Sequence, residues 1–173
     1  MSGVNPEPPV SIAATSSHTA SITLPTDDQI LITRLFDAPR HLVYRAWVTP
    51  ELVKRWWASD LGKVTLAEVD LQVGGRWRYV MVTHTGLEVG FHGVFQQIVP
   101  HELLVSTELF EGMPEGTGAL NTITFADAPG GTLLSLLVQH NNREERDYHL
   151  HSGMEWGMQK ALNFLEEVAK QLA

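Results

Sequence analysis

The sequence contains no cysteine. Disulfide bridges, thiolate nucleophiles and thiolate-bound metals are therefore excluded, and the absence fits a reducing compartment. The first 20 residues have neither a basic stretch nor an apolar core, so they do not read as a secretion signal. No run approaches the roughly 18 apolar residues that a membrane-spanning helix needs. We therefore expect a cytoplasmic protein with no membrane partner.

Basic residues are scarce, because 12 Lys and Arg stand against 20 Asp and Glu, for a formal net charge of −8. A chain of this charge is repelled by phosphate backbones unless it carries a concentrated basic patch. The densest basic groupings are pairs such as Lys54-Arg55. Nucleic acid is therefore not an expected partner.

The length of 173 residues fits one domain, for which about 100–200 residues is usual. Residues 1–20 are rich in Ser, Thr, Ala and Pro and show no apolar period, which predicts a flexible tail. Residues 21–173 are predicted to form a single domain.

This domain begins with a predicted strand over residues 29–36, where β-branched and apolar side chains dominate. Pro39 and the pair Thr49-Pro50 then mark the starts of two short helices. From residue 63 onward apolar side chains recur at every second position, which is typical of strands. We predict six further strands, at about 64–69, 76–83, 91–96, 103–110, 121–125 and 132–140.

The chain ends with an apolar stripe at helical spacing, which predicts one long helix beginning within 143–147 and ending near Leu172. Glu166 and Glu167 fall outside the stripe. A sheet with one apolar face needs a cover, and this helix is the long amphipathic element available for it. The sequence therefore predicts an α+β domain, in which a long C-terminal helix covers an antiparallel sheet.

Residues that could bind a metal or act as a nucleophile are few and scattered. The eight histidines offer no converging set of three or four metal ligands, since even His149 and His151 fall on different faces of the predicted helix. The serines lie outside any nucleophile-elbow motif. We predict no catalytic residue, no metal site and no cofactor, and whether the protein is an enzyme stays open.

Aromatic side chains are predicted to gather on the inner face of the sheet. One interpretation is a solid core. The other is a ligand cavity of about 300–1,000 Å³, because a curved sheet under a single helix encloses more volume than its side chains fill. Methionines suit such a wall, since thioethers adapt to varied apolar shapes. The predicted cavity wall consists of Trp56, Trp57, Trp77, Tyr79, Met81, Phe91, Phe95, His140, Met154 and Met158.

Polar groups near this cavity would orient a ligand. His140 continues the inward parity of the last strand and would act as a general base if a reaction occurs. A histidine satisfied by neighbours at a strand end is the alternative. Glu108 and Arg78 are predicted to reach the rim.

Several segments together resemble one known family. Residues 33–40, 46–47 and 55–57 are similar to the opening signature of the Aha-type START-like proteins, which take their name from the activator of the heat-shock protein 90 ATPase. Residues 70–81 resemble the family's central hairpin, and 152–158 resemble its closing helix. The match covers about residues 21–172.

This resemblance implies a helix-grip fold of the SRPBCC superfamily, with a curved antiparallel sheet around a long C-terminal helix and two short helices after the first strand. It implies three candidate functions, because the scaffold carries several. The first is non-catalytic binding of a small, mostly apolar molecule that is lipid-, aromatic- or polyketide-like. The second is a cyclase or hydrolase, and the third is a chaperone-associated interaction protein. A monomer and a homodimer both remain open.

Overall fold

The computed structural model describes residues 19–114 and 116–173. The predicted tail, residues 1–20, therefore lies outside the described residues except for its last two. Of these, Ala20 is buried and exchanges two hydrogen bonds with Gln159. Its N–H donates to Gln159 Oε1 (2.8 Å) and its carbonyl accepts from Gln159 Nε2 (2.7 Å).

Eight antiparallel strands form one sheet in the order β1-β2-β8-β7-β6-β5-β4-β3. Strands β3 to β8 follow one another as a meander, and β2 closes the far side by pairing with β8. Register shifts between Val64 and Leu66, and between Phe95 and Gln97, mark bulges that bend the sheet. The strands are β1 Ser21–Thr23, β2 Gln29–Phe36, β3 Gly62–Val69, β4 Arg76–Thr83, β5 Glu88–Val99, β6 Leu103–Phe110, β7 Ala119–Ala128 and β8 Gly131–Gln139.

Two short helices follow β2, as predicted. They are α1 Arg40–Val48 and α2 Pro50–Trp56, and both pack against the last helix. Pro50 is the first residue of α2. A backbone N–H at this position would have no hydrogen-bond partner within the helix, so proline costs nothing there. The short strand β1, which pairs with β2, was not predicted.

The C-terminal helical region is divided in two, whereas the sequence analysis predicted one helix from residues 143–147. Helix α3 spans Arg143–Leu150 and the long helix α4 spans Met154–Gln171. Gly153 separates them with a φ of 84°, in the left-handed region that glycine adopts without steric cost. The long C-terminal helix is confirmed, but it begins after this break.

The core lies between the concave face of the sheet and α4. Leu162, Leu165 and Val168 are buried on α4, which confirms its apolar stripe. Glu166, which the sequence analysis placed outside the stripe, is nevertheless buried, with 4% of its surface exposed. Its carboxylate lies 3.5 Å from the guanidinium of the fully buried Arg34 and accepts a hydrogen bond from the Asp37 N–H (3.0 Å). A charge on the inner face of β2 thus draws Glu166 into the core.

Candidate functional site

A cavity of about 320 Å³ lies between the concave face of the sheet and α4. Side chains of β2 and β4 to β8 form its floor and sides, while α1, α2, α3 and α4 close the remainder. This volume falls within the range of about 300–1,000 Å³ that is typical of small-molecule sites.

All the residues predicted to form the cavity wall line it except His140. Their role as ligand contacts stays a prediction. Those lining the cavity are Trp56, Trp57, Trp77, Tyr79, Met81, Phe91, Phe95, Met154 and Met158.

The indole of Trp77 is held in place by its strand neighbours. Trp77 lies opposite Gly93 in the β4–β5 register, and its Nε1–H donates to the Thr107 carbonyl of β6 (3.2 Å). A Cβ built on Gly93 would lie 2.6 Å from Trp77 Nε1 and 1.8 Å from the Thr107 oxygen. The missing side chain of Gly93 therefore lets the indole cross β5 and form this part of the wall.

Two tryptophans of the α2 region extend the aromatic wall. Trp56 is buried and donates its Nε1–H to the Ala46 carbonyl (2.9 Å). The ring of Trp57 makes edge contacts with Tyr79 and Phe91, at centroid distances of 5.5 and 5.6 Å. Such edge-to-face pairs are favoured by the quadrupoles of the rings. Both tryptophans line the cavity.

Helix α4 presents small and flexible side chains to the cavity. Met154, Gly157, Met158 and Ala161 line it. A Cβ built on Gly157 meets only Leu61 Cδ1, at an ordinary contact distance of 3.7 Å. Close packing therefore does not require this glycine, and its missing side chain leaves space beside the cavity.

A polar strip crosses the otherwise apolar floor, formed by Ser106, Glu108 and Asn121. Asn121 lies opposite Ser106 in the β6–β7 register, and its Nδ2 donates to Glu108 Oε2 (2.9 Å). Burial raises the pKa of Glu108, and the hydrogen bond from Asn121 offsets only part of that effect. The sequence analysis placed Glu108 at the rim and missed Asn121. The alternation of Leu104, Ser106 and Glu108 along β6 indicates that Glu108 faces inward.

His140 is not among the residues that line the cavity, and its role as a ligand contact stays a prediction. It is 9% exposed, and its Nε2 lies 3.0 Å from Nδ1 of His149 on α3. His149 itself lines the cavity. Burial, followed by the neighbouring His140, lowers the pKa of His149 to about 4, and burial also lowers the pKa of His140. Both imidazoles are therefore neutral at pH 7.

Arg78 does not reach the rim. It lies on the outer face of β4 and forms a bidentate ion pair with Glu111, with Nη2 2.8 Å from Oε1. His92 joins the pair through Nδ1, 3.0 Å from Glu111 Oε2. Hydrogen bonding to Arg78 lowers the pKa of Glu111 to about 2. This group belongs to the outer surface of the sheet.

Across residues 19–114 and 116–173, no three His, Asp or Glu side chains are grouped so that they would hold a metal ion. The absence of a metal and of a cofactor stays a prediction. The titratable groups that line the cavity are instead Tyr79, Glu108 and His149. They offer hydrogen bonds and proton transfer within an aromatic enclosure.

The model of the family described as Activator of Hsp90 ATPase homolog 1-like protein matches residues 37–170. The chain belongs to this family. The predicted family resemblance is confirmed, and the match takes in α1, α2 and the cavity-lining part of α4.

Solved structures of proteins from several bacteria share the fold of this chain. A protein from Rhodobacter sphaeroides is 24% identical with a TM-score of 0.82, the alignment covering 88% of this chain and 99% of that one. A protein from Nitrosomonas europaea is 24% identical with a TM-score of 0.77, over 86% of this chain and 98% of that one. The AHSA1-like protein from Aeromonas hydrophila is 24% identical with a TM-score of 0.66, over 83% and 93%. At these identities the likeness establishes the helix-grip fold alone.

A search of curated proteins finds no match to this chain. Within the part of the chain that the structure describes, no helix is long and apolar enough to span a membrane.

Proposed function

We propose that this protein binds a small, mostly apolar molecule in the cavity between the sheet and α4, without catalysing a reaction. The observation that supports this most is a void of about 320 Å³ beneath a wall of aromatic and thioether side chains. A filled core would leave no such space, because protein interiors pack as densely as organic crystals.

The chemistry of the wall fits this class of ligand. Aromatic rings contribute large contact areas and stacking, and Met81, Met154 and Met158 adjust to varied shapes. A cytoplasmic location, a monomeric or homodimeric state and the lack of a membrane or nucleic-acid partner belong to the same proposal.

The test is to fill the cavity from α4. In Met158→Trp the larger ring would occupy the void, so we expect the variant to fold and to lose binding of the neutral fluorescent probe N-phenyl-1-naphthylamine. Asn163→Trp, on the exposed face of the same helix, is the control and should bind the probe like the wild type. If Met158 instead lies in a filled core, overpacking costs about 1–3 kcal/mol of stability. No probe binding by the wild type would refute the proposal.

Native mass spectrometry of freshly purified protein complements this titration. A co-purified small molecule, present in the wild type and absent from Met158→Trp, would identify the natural ligand. We expect its mass to correspond to a lipid-, aromatic- or polyketide-like compound.

The second candidate is an enzyme of the cyclase or hydrolase kind. One observation favours it, since His149 lines the cavity and its lowered pKa of about 4 keeps the imidazole neutral and able to accept a proton. His140, the base that the sequence offered, would act only through His149. Loss of turnover in His149→Asn with retained probe binding would favour the enzyme.

The third candidate function is that of a chaperone-associated interaction protein. It rests on the family's description, and it would involve the surface of the domain. Addition of this protein to a purified heat-shock protein 90 would raise its ATPase rate if the chaperone is the partner. Met158→Trp should then leave that effect unchanged, because the substitution fills an internal cavity and the partner would contact the surface.

A further inference from the structure

Asn121 brings an unpartnered hydrogen-bond acceptor to the floor of the cavity. It lines the cavity, and only 7% of its surface is exposed. Its Nδ2 donates to Glu108 Oε2 (2.9 Å), whereas its Oδ1 receives no hydrogen bond from any of the described residues. Buried polar atoms in native proteins nearly always have a partner, so this exception calls for an explanation. Because Oδ1 is a carbonyl oxygen, the missing partner is a donor.

The contact with Glu108 fixes the orientation of this amide. A carboxyl group keeps an oxygen that accepts a hydrogen bond in its ionised and in its protonated form. The Asn121–Glu108 hydrogen bond therefore does not depend on the charge of Glu108. Since the nitrogen of the amide is already engaged, its oxygen is the end that lacks a partner.

Ser106 stands directly beside this acceptor. It is the register partner of Asn121 across β6 and β7, and it also lines the cavity, with 6% of its surface exposed. Directly opposite residues on one face of an antiparallel pair have Cβ atoms about 4.5–5.5 Å apart. A serine hydroxyl can donate as well as accept. One ligand oxygen between the two side chains can therefore accept from Ser106 and donate to Asn121.

We propose that the cavity selects neutral apolar molecules that carry a hydroxyl group, whose O–H donates to Asn121 Oδ1 and whose oxygen accepts from Ser106 Oγ. This inference rests on the proposed ligand-binding function and specifies the ligand's polar group. Alcohols and phenols share this chemistry. The hydrocarbon body of the ligand would contact the aromatic wall.

Other polar groups fit the site less well. A ketone or an ether brings acceptors only, so Asn121 Oδ1 would still lack a donor. A carboxylate has the same defect, and none of the described residues that line the cavity is a lysine or an arginine. An ammonium group can donate, but it would form a buried ion pair with Glu108, and the desolvation of two charges commonly exceeds their attraction.

Five naphthalene probes of similar size separate these possibilities. They are 2-naphthalenemethanol (alcohol), 2-naphthol (phenol), 2-ethylnaphthalene (apolar), 2-acetonaphthone (ketone) and 2-naphthylmethylammonium (cation). Each is titrated calorimetrically into the full chain at pH 7. The measured quantity is the Kd of each probe relative to that of 2-ethylnaphthalene, because this ratio removes the shared contribution of the rings.

Substitution of Asn121 by the similarly shaped leucine tests the acceptor. Asn121→Leu should weaken the hydroxyl probes about five- to tenfold relative to 2-ethylnaphthalene, as expected for one lost hydrogen bond, and should leave the relative affinity of the ketone unchanged. Ser106→Ala should weaken the hydroxyl probes about threefold. The matched control Asn163→Leu makes the same change at an exposed position of α4 and should alter no ratio.

The outcomes distinguish this inference from the broader one. If 2-ethylnaphthalene and the other probes all fail to bind, the ligand-binding function itself falls. Loss of relative affinity by the alcohol or by the phenol in Asn121→Leu supports the inference and identifies which hydroxyl is preferred.

Three results would overturn the hydroxyl inference alone. The first is an unchanged relative affinity of both hydroxyl probes in Asn121→Leu, as expected if a water molecule or Glu108 meets the O–H instead. The second is a loss confined to the ketone, which would mean that the amide nitrogen faces the ligand. The third is tightest binding of the cation by the wild type.

A measurement on the wild type keeps the test decisive if Asn121→Leu does not fold. In carbon-13-labelled protein, the resonance of the Asn121 side-chain carbonyl moves downfield when its oxygen accepts a hydrogen bond. A downfield shift with 2-naphthalenemethanol or 2-naphthol that is absent with 2-ethylnaphthalene supports the inference. Equal shifts with all three probes, or no shift with either hydroxyl probe, overturn it.

Discussion

Replacement of Gly93 by alanine tests how the cavity wall is built. A Cβ at this position would lie 1.8 Å from the Thr107 carbonyl oxygen and 2.6 Å from Trp77 Nε1, whereas real Cβ atoms keep at least 3.0 Å. Strands β5 and β6 would therefore have to separate by more than 1 Å. This displacement would break the Trp77–Thr107 hydrogen bond, now 3.2 Å long.

The expected cost follows from those contacts. A lost hydrogen bond is worth about 1 kcal/mol, and the buried groups left without partners add about 1–3 kcal/mol. We expect Gly93→Ala to lower the free energy of unfolding by about 3 kcal/mol and to weaken binding of apolar probes, because the indole of Trp77 is displaced.

Gly157→Ala is the matched comparison. Its Cβ would meet only Leu61 Cδ1, at 3.7 Å, so the intrinsic helix preference of alanine should decide the result. We expect a gain of about 0.5–1 kcal/mol. Urea unfolding followed by tryptophan fluorescence measures both variants, with the slope compared between them. A loss below about 1 kcal/mol for Gly93→Ala, or an equal loss at both positions, would refute this account of the wall.

Three further predictions concern the core and its titratable groups. Leu165→Asp buries an unpaired charge beneath α4 and should unfold the domain, while the exposed Glu167→Ala should stay within about 0.5 kcal/mol of the wild type in the same titration. Glu166→Gln leaves the buried Arg34 without its counter-charge and should cost about 3–5 kcal/mol; a change under 1 kcal/mol would contradict the pair. His149 has a folded pKa of about 4, below its ordinary 6.5, so the unfolded chain binds the proton more readily. The stability that the neutral, buried His149 contributes is therefore present above pH 6.5 and is lost as the pH falls through about 4. In thermal unfolding, His149→Phe should lose less stability than the wild type across this pH range.

Much of the fold could be predicted from local pattern. Alternation along residues 76–83 predicted that Trp77 and Tyr79 face inward, and both are buried in the structure. Helical spacing near the C-terminus predicted the stripe that includes Leu165. Each of these assignments depends on a period of two or 3.6, which a strand or helix carries within itself.

The contacts within the candidate site join distant segments, so the periodicity of a single segment does not predict them. Asn121 meets Glu108 because the register of β6 against β7 brings them together. His149 reaches the cavity because the chain breaks at Gly153 and α3 turns separately from α4. Glu166 is buried because Arg34, 132 residues earlier, presents its charge on the inner face of β2. A residue's own segment determines which way its side chain faces, but its partner is decided only when distant segments pack together.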